Sequence, residues 1–127
     1  MTIAGVIETQ WSRGPLLFRV SRSSIHGYGL FACTLLNAGT FLGRISGPIV
    51  YSSTSRRACM SHEPKHDREI VLECDDMWCV VDARGSAFEW LNCPESDSNV
   101  YMTPEGELYT KCDVQAESEL TCEYRMV

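Results

Sequence analysis

No uninterrupted apolar run in this 127-residue chain reaches the roughly 18 to 20 residues that a membrane-spanning helix needs. The opening stretch through Gly14 also lacks the basic-then-apolar order of a secretion signal, so the expectation is a soluble intracellular chain with no membrane partner. Basic residues are scarce: 11 Lys and Arg stand against 17 Asp and Glu, for a formal net charge of −6, and Arg56-Arg57 is the single adjacent basic pair. A phosphate backbone is held chiefly by clustered cations, so direct nucleic-acid binding by this domain is not expected, and an acidic surface suits a basic partner instead. No C-x-x-C occurs, and the seven cysteines (Cys33, Cys59, Cys74, Cys79, Cys93, Cys112 and Cys122) are odd in number. They read as reduced thiols, most of them small buried hydrophobes. No internal repeat is visible.

What the chain does contain is short apolar runs rich in β-branched and aromatic residues, cut by Gly, Pro, Ser, Asn and Asp. A chain of this length fits one domain that buries about two-thirds of its unfolded surface. The runs predict strands at 16–20, 29–32, 40–43, 49–51, 70–73, 78–82, 100–103, 107–111 and 120–123. Only Ser86 to Asn92 is patterned as a helix, with Ser86 as cap and Glu89 three residues on. Pro104-Glu105-Gly106 supplies a fixed φ followed by a residue free to take positive φ, which predicts a hairpin between 100–103 and 107–111. Ser52 to Asp67 is the longest polar stretch and reads as the most mobile loop. The reading is a mainly β domain over 16–127 preceded by an N-terminal extension, 1–15.

Three separated segments carry the chemistry. The first is Ser24-Ile25-His26-Gly27-Tyr28-Gly29-Leu30-Phe31-Ala32 with Asn37-Ala38-Gly39-Thr40 behind it. The second is Val80-Val81-Asp82-Ala83 followed by Trp90-Leu91-Asn92-Cys93, and the third is Glu117-Ser118-Glu119-Leu120-Thr121-Cys122-Glu123-Tyr124. A G-x-G pair lets backbone approach a ligand closely but is a weak signal alone. In this order the segments resemble the SET domain family: a G-x-G-L-F-A opening, a Gly-Thr turn, an I-D-A-like strand, an Asn segment and a terminal E-L-T-x-x-Tyr. Asn92-Cys93 followed by Ser98-Asn99-Val100-Tyr101, and Gly106-Glu107-Leu108-Tyr109, are similar to the PR subclass of that family.

The resemblance implies a β-fold of several small sheets with one short helix and a pseudo-knotted C-terminal segment. It further implies S-adenosylmethionine as cofactor and methyl transfer to protein lysine, with a histone tail or other basic peptide as substrate. Chromatin and transcription proteins are the implied partners and the nucleus the implied location. Carried over by position, Gly27, Tyr28, Gly29, Asn92 and Cys93 meet the cofactor, Tyr124 is catalytic, and Glu69, Ile70 and Val71 form the edge strand to which a substrate peptide adds. The chemistry suits a phenol, because methyl transfer needs a neutral amine held in line rather than acid–base machinery. The alternative reading is a catalytically silent PR domain used as a protein-interaction module of a transcription regulator. The chain departs from the family pattern at Ile45-Ser46-Gly47-Pro48, where an aromatic and a carboxylate often line the lysine channel, at Asp67-Arg68-Glu69, where PR relatives place an aromatic, and at Arg125, where glycine is usual.

Other signals are weaker. Cys59, His62 and His66 have zinc-like spacing, yet Pro64 lies between the histidines, and a solvated loop with no metal is the better reading. Cys93 has no base near it in sequence to make it a nucleophile. Trp11, Trp78 and Trp90 read as core.

Overall fold

The computed structural model describes residues 17–66, 68–84, 86–94 and 97–123. The expected N-terminal extension, Trp11 and Tyr124 lie outside the described residues. Among the described residues nine short strands form three antiparallel sheets of three strands each. In the first, β1 (Phe18–Arg22) pairs with β2 (Tyr28–Ala32), which also pairs with β9 (Glu119–Leu120). The second orders β3 (Phe41–Arg44), β8 (Glu107–Thr110) and β7 (Val100–Met102). The third places β6 (Met77–Asp82) between β4 (Ile49–Ser53) and β5 (Glu69–Cys74), so that β5 is an edge. A mainly β fold is what the spacing of the apolar runs predicts, and several small sheets are what the resemblance implies.

Alternation inside each strand explains how the sheets share one core. In β5, Ile70 and Leu72 are buried while Glu69, Val71 and Glu73 on the other face are half-buried, and in β8 Leu108 and Thr110 are buried. Leu30, Leu91, Leu108, Leu120, Phe88 and Ile45 are the largest fully enclosed side chains, and Phe88 packs against Phe18 at 5.7 Å between ring centroids. The β7–β8 hairpin closes as expected, with the Gly106 amide donating to the Thr103 carbonyl at 2.9 Å and Gly106 at φ +91°.

Two local expectations are corrected. Ser52 to Asp67 is not wholly irregular: β4 runs on to Ser53, and Ser55 caps α1 (Arg56–Met60) by accepting the Ala58 amide at 3.2 Å. Cys59 anchors that helix by burial and donates its thiol to the Trp78 carbonyl at 3.4 Å, turning it to the sheet. Ser86 to Asn92, by contrast, makes only one 3-10 turn, Ala87–Trp90. Leu91 is already extended, and Asn92 is drawn off into a parallel bridge with Thr121. Of the seven cysteines, Cys59, Cys79 and Cys122 are buried, whereas Cys93 and Cys112 are exposed; all seven are free thiols.

The C-terminal segment ties the sheets together. Leu120 pairs with Leu30 of β2, Thr121 bridges Asn92, and Cys122 bridges Val100. Asn99 secures it from the other side, donating to the Glu119 carbonyl at 2.9 Å and accepting the Thr121 amide at 2.8 Å. These pairings join the first sheet to the Asn92 segment and to β7.

Candidate functional site

The turn between β1 and β2 is built by its own short-range bonds. Ser23 Oγ accepts the Ile25 amide at 2.9 Å, and the Ser23 amide donates to the Gly27 carbonyl at 2.8 Å. Beneath it lies Asn92, only 2 % exposed. Its Nδ2 reaches the His26 carbonyl at 3.1 Å, the Tyr28 carbonyl at 2.9 Å, Glu119 Oε2 at 2.9 Å and Ser23 Oγ at 3.2 Å. Two N–H bonds are thus shared among four oxygens. Ser23 Oγ lies 2.8 Å from both Glu119 carboxylate oxygens.

Gly29 makes this arrangement possible. A Cβ there would collide with Glu119 Oε2 and stand 2.8 Å from its Cδ and 3.1 Å from Asn92 Nδ2. The missing side chain is therefore filled by a carboxylate and a carboxamide from distant parts of the chain. Sequence reasoning singled out Gly27, Gly29 and Asn92 but assigned no role to Ser23 or Glu119. A glycine inside a strand marks close approach of another group and was the available signal.

Two clefts open beside this latch. The smaller, about 250 Å³, is lined by His26, Gly27 and Tyr28 of the turn and by Glu89 and Trp90, whose ring meets Tyr28 edge-on at 5.8 Å. The larger, about 780 Å³, is lined by Glu69, Ile70 and Val71 of β5 together with Trp78 and Cys93. His66 and Arg68 line both. Trp78 and Trp90 are therefore cleft walls as well as packing residues, which corrects their reading as core alone. Ile45 lines neither cleft and is buried in the core.

The structure thus brings Gly27, Tyr28 and Gly29 together with Asn92, and Glu69, Ile70 and Val71 together with Cys93. Asn92 turns its amide nitrogen to the loop rather than to either cleft.

Charge between the clefts is ordered by a chain of contacts. Arg84 forks onto Asp82, with Nε at 3.1 Å from Oδ1 and Nη2 at 2.9 Å from Oδ2. These bonds, with the Arg84 backbone N–H, bring the Asp82 pKa down to about 2. His66 Nδ1 accepts the Arg68 amide at 3.0 Å, so its Nε2 carries the proton of the neutral ring. That nitrogen stands 3.4 Å from Asp82 Oδ1 and 3.8 Å from Glu69 Oε2. Across the domain, burial pushes the Cys122 thiol up to about 12, and burial with neighbouring Cys79 raises Cys74 to about 11, so neither is an ionised nucleophile at neutral pH.

A family model for the SET domain matches residues 27–125. No curated protein matches the chain.

Proposed function

The chain belongs to the SET domain family, which is protein-lysine methyltransferase-like, and from that premise we propose an S-adenosylmethionine-dependent protein-lysine N-methyltransferase of the PR subclass. The proposed substrate is a histone tail or another basic peptide of a chromatin protein, which places the work in the nucleus among chromatin and transcription proteins. The observation that carries this reading is the Gly27–Gly29 turn, locked by Asn92 and Glu119 beside a small cleft that meets a larger cleft at His66 and Arg68. Clefts that share lining residues would hold two reactants side by side, with His66 and Arg68 between them.

The residues of the smaller cleft fit the cofactor's chemistry. Arg68 presents a cation to a carboxylate, Glu89 an anion to an ammonium, and Tyr28 and Trp90 aromatic rings to a base. When bound, S-adenosylmethionine supplies an electrophilic methyl group. Asn92 and Glu119 hold the turn against it, Cys93 closes the adjoining end of the larger cleft, and β5 offers main-chain bonds to an extended peptide. Tyr124 is assigned the alignment of the amine from its place in the E-L-T-x-x-Tyr segment. Calorimetric titration of the cofactor, then radiolabelled methyl transfer to histone peptides with wild type and Tyr124→Phe, tests the reading. Binding, with transfer abolished by the substitution, is the expected result.

One observation favours a second reading, a catalytically silent interaction module. Ile45, standing where relatives often line the lysine channel with an aromatic, is withdrawn into the core. Cofactor binding that is undetectable at millimolar concentration, worth only about 4 kcal/mol, would replace the enzyme by the module.

A further inference from the structure

Glu69 carries a carboxylate that the chain itself does not satisfy. Its side chain is only 3 % exposed, and Oε1 has no hydrogen-bond partner. The nearest groups are His62 Nε2 at 3.6 Å from Oε1 and His66 Nε2 at 3.8 Å from Oε2. Arg84 forks onto Asp82, Arg68 reaches the Leu91 carbonyl at 3.5 Å, Arg56 lies over the Trp78 ring at 5.4 Å, and none of the three hydrogen-bonds Glu69 Oε1. A buried carboxylate oxygen without a donor is costly, and a cationic donor relieves that cost best. Glu69 also lines the larger cleft, so such a donor can come from a ligand.

The backbone beside it says what kind of ligand. The Glu73 amide points off the free edge of β5, where it donates to the Pro104 carbonyl at 2.7 Å. In an antiparallel ladder this direction repeats every second residue, so the N–H and C=O of Val71 and Glu69 also face outward. The Arg68 carbonyl, one residue out of phase, points inward and accepts the Ala83 amide at 2.9 Å. The edge open to an added strand is therefore short, running from Glu69 to Val71, with the carboxylate at one end and the Pro104 contact closing the other.

We infer that Glu69 reads a cationic side chain, lysine or arginine, that flanks the methyl-accepting lysine in an extended peptide added to β5. This rests on the proposed reading of β5 as the peptide-binding edge. The residue read is not the acceptor itself, because a carboxylate paired with the acceptor ammonium would hold it protonated and without a lone pair to attack. Glu69 is thus a specificity-determining residue, and the substrate class is a peptide with at least two basic residues close together.

The test uses short peptides with one central lysine in a Gly/Thr/Ala background and a single arginine moved through the flanking positions. A parallel set carries citrulline, the neutral isostere, in place of that arginine. Binding is read by fluorescence anisotropy to wild type, Glu69→Gln and Val71→Pro. Wild type should favour arginine at one position, and citrulline there should weaken binding on the order of tenfold to a hundredfold, as for loss of a hydrogen bond to a charged group. Glu69→Gln should erase that preference, so that the arginine and citrulline peptides bind the variant alike. Val71→Pro, which removes an outward N–H that an edge strand can forgo, should weaken every peptide. A preference that survives Glu69→Gln, or arginine and citrulline peptides that wild type cannot tell apart, overturns the role of Glu69. Peptide binding indifferent to Val71→Pro overturns the edge reading itself, and with it this inference.

Discussion

Substituting Gly29 by alanine should destabilise the domain by about 1 to 3 kcal/mol through a contact with a named partner. The new Cβ would fall on the Glu119 carboxylate and stand 3.1 Å from Asn92 Nδ2. Glu119 cannot simply swing aside, because its backbone is paired with Phe31 and both its oxygens are within bonding distance of Ser23 Oγ. Relief by displacing the carboxylate forfeits bonds to a charged group worth roughly 1.5 to 3 kcal/mol. Relief by moving β2 strains a packed core at about 1 to 3 kcal/mol. Denaturant unfolding followed by tryptophan fluorescence measures the cost. The decisive comparison is Gly29→Ala in a Glu119→Ala background, where the colliding group is gone and the substitution should cost under about 1 kcal/mol. Equal costs in the two backgrounds would refute the reasoning, since the glycine would then be required for some other cause.

Phe88→Ala should cost about 3 to 5 kcal/mol, because Phe88 is fully enclosed and packs on Phe18; a loss below about 1 kcal/mol by the same assay would contradict the packing. Iodoacetamide should label the exposed Cys93 and Cys112 first, leaving Cys59, Cys79 and Cys122 protected until denaturant is added, as mass spectrometry would show. Asp82 is held to about 2 by Arg84, so its contribution to stability is present above the ordinary carboxylate value of 3.8 and is lost as pH falls through about 2. The stability difference between wild type and Arg84→Ala should accordingly be constant above about pH 5 and shrink towards pH 2; urea titrations showing a constant difference to the lowest pH would exclude the pair as its origin.

Sequence patterning reveals the strands best where alternation and turn chemistry coincide. The β7–β8 hairpin is the clearest case, because Pro104 and Gly106 mark the turn and Val100, Met102 and Leu108 mark the buried face. Helix α1 is concealed for the opposite reason: five residues around a single buried Cys59 give no apolar stripe, and the helix exists through packing on β4 and β6. The helical reading of Ser86 to Asn92 overshot because a cap and two apolar residues signal where a turn starts, not that a distant strand will claim Asn92. At the candidate site, the glycine pair and Asn92 are legible as motif residues. Glu119 was part of a motif, yet its task depends on a space left by Gly29 some ninety residues earlier, which no local pattern encodes.

The bridges made by Leu120, Thr121 and Cys122 also set an order of events during folding. Their partners Leu30, Asn92 and Val100 come from three separate regions, so these contacts close long loops and are entropically late. During synthesis, a growing chain that has not yet released Cys122 has a half-built first sheet, a turn without Glu119 beneath it, and apolar side chains such as Leu30 still waiting for cover. The strand at Leu120 therefore acts as a checkpoint. The domain is most open to chaperones and to aggregation until Leu120 to Cys122 have paired, and the Gly27–Gly29 turn gains its Glu119 support in the same step that completes the core.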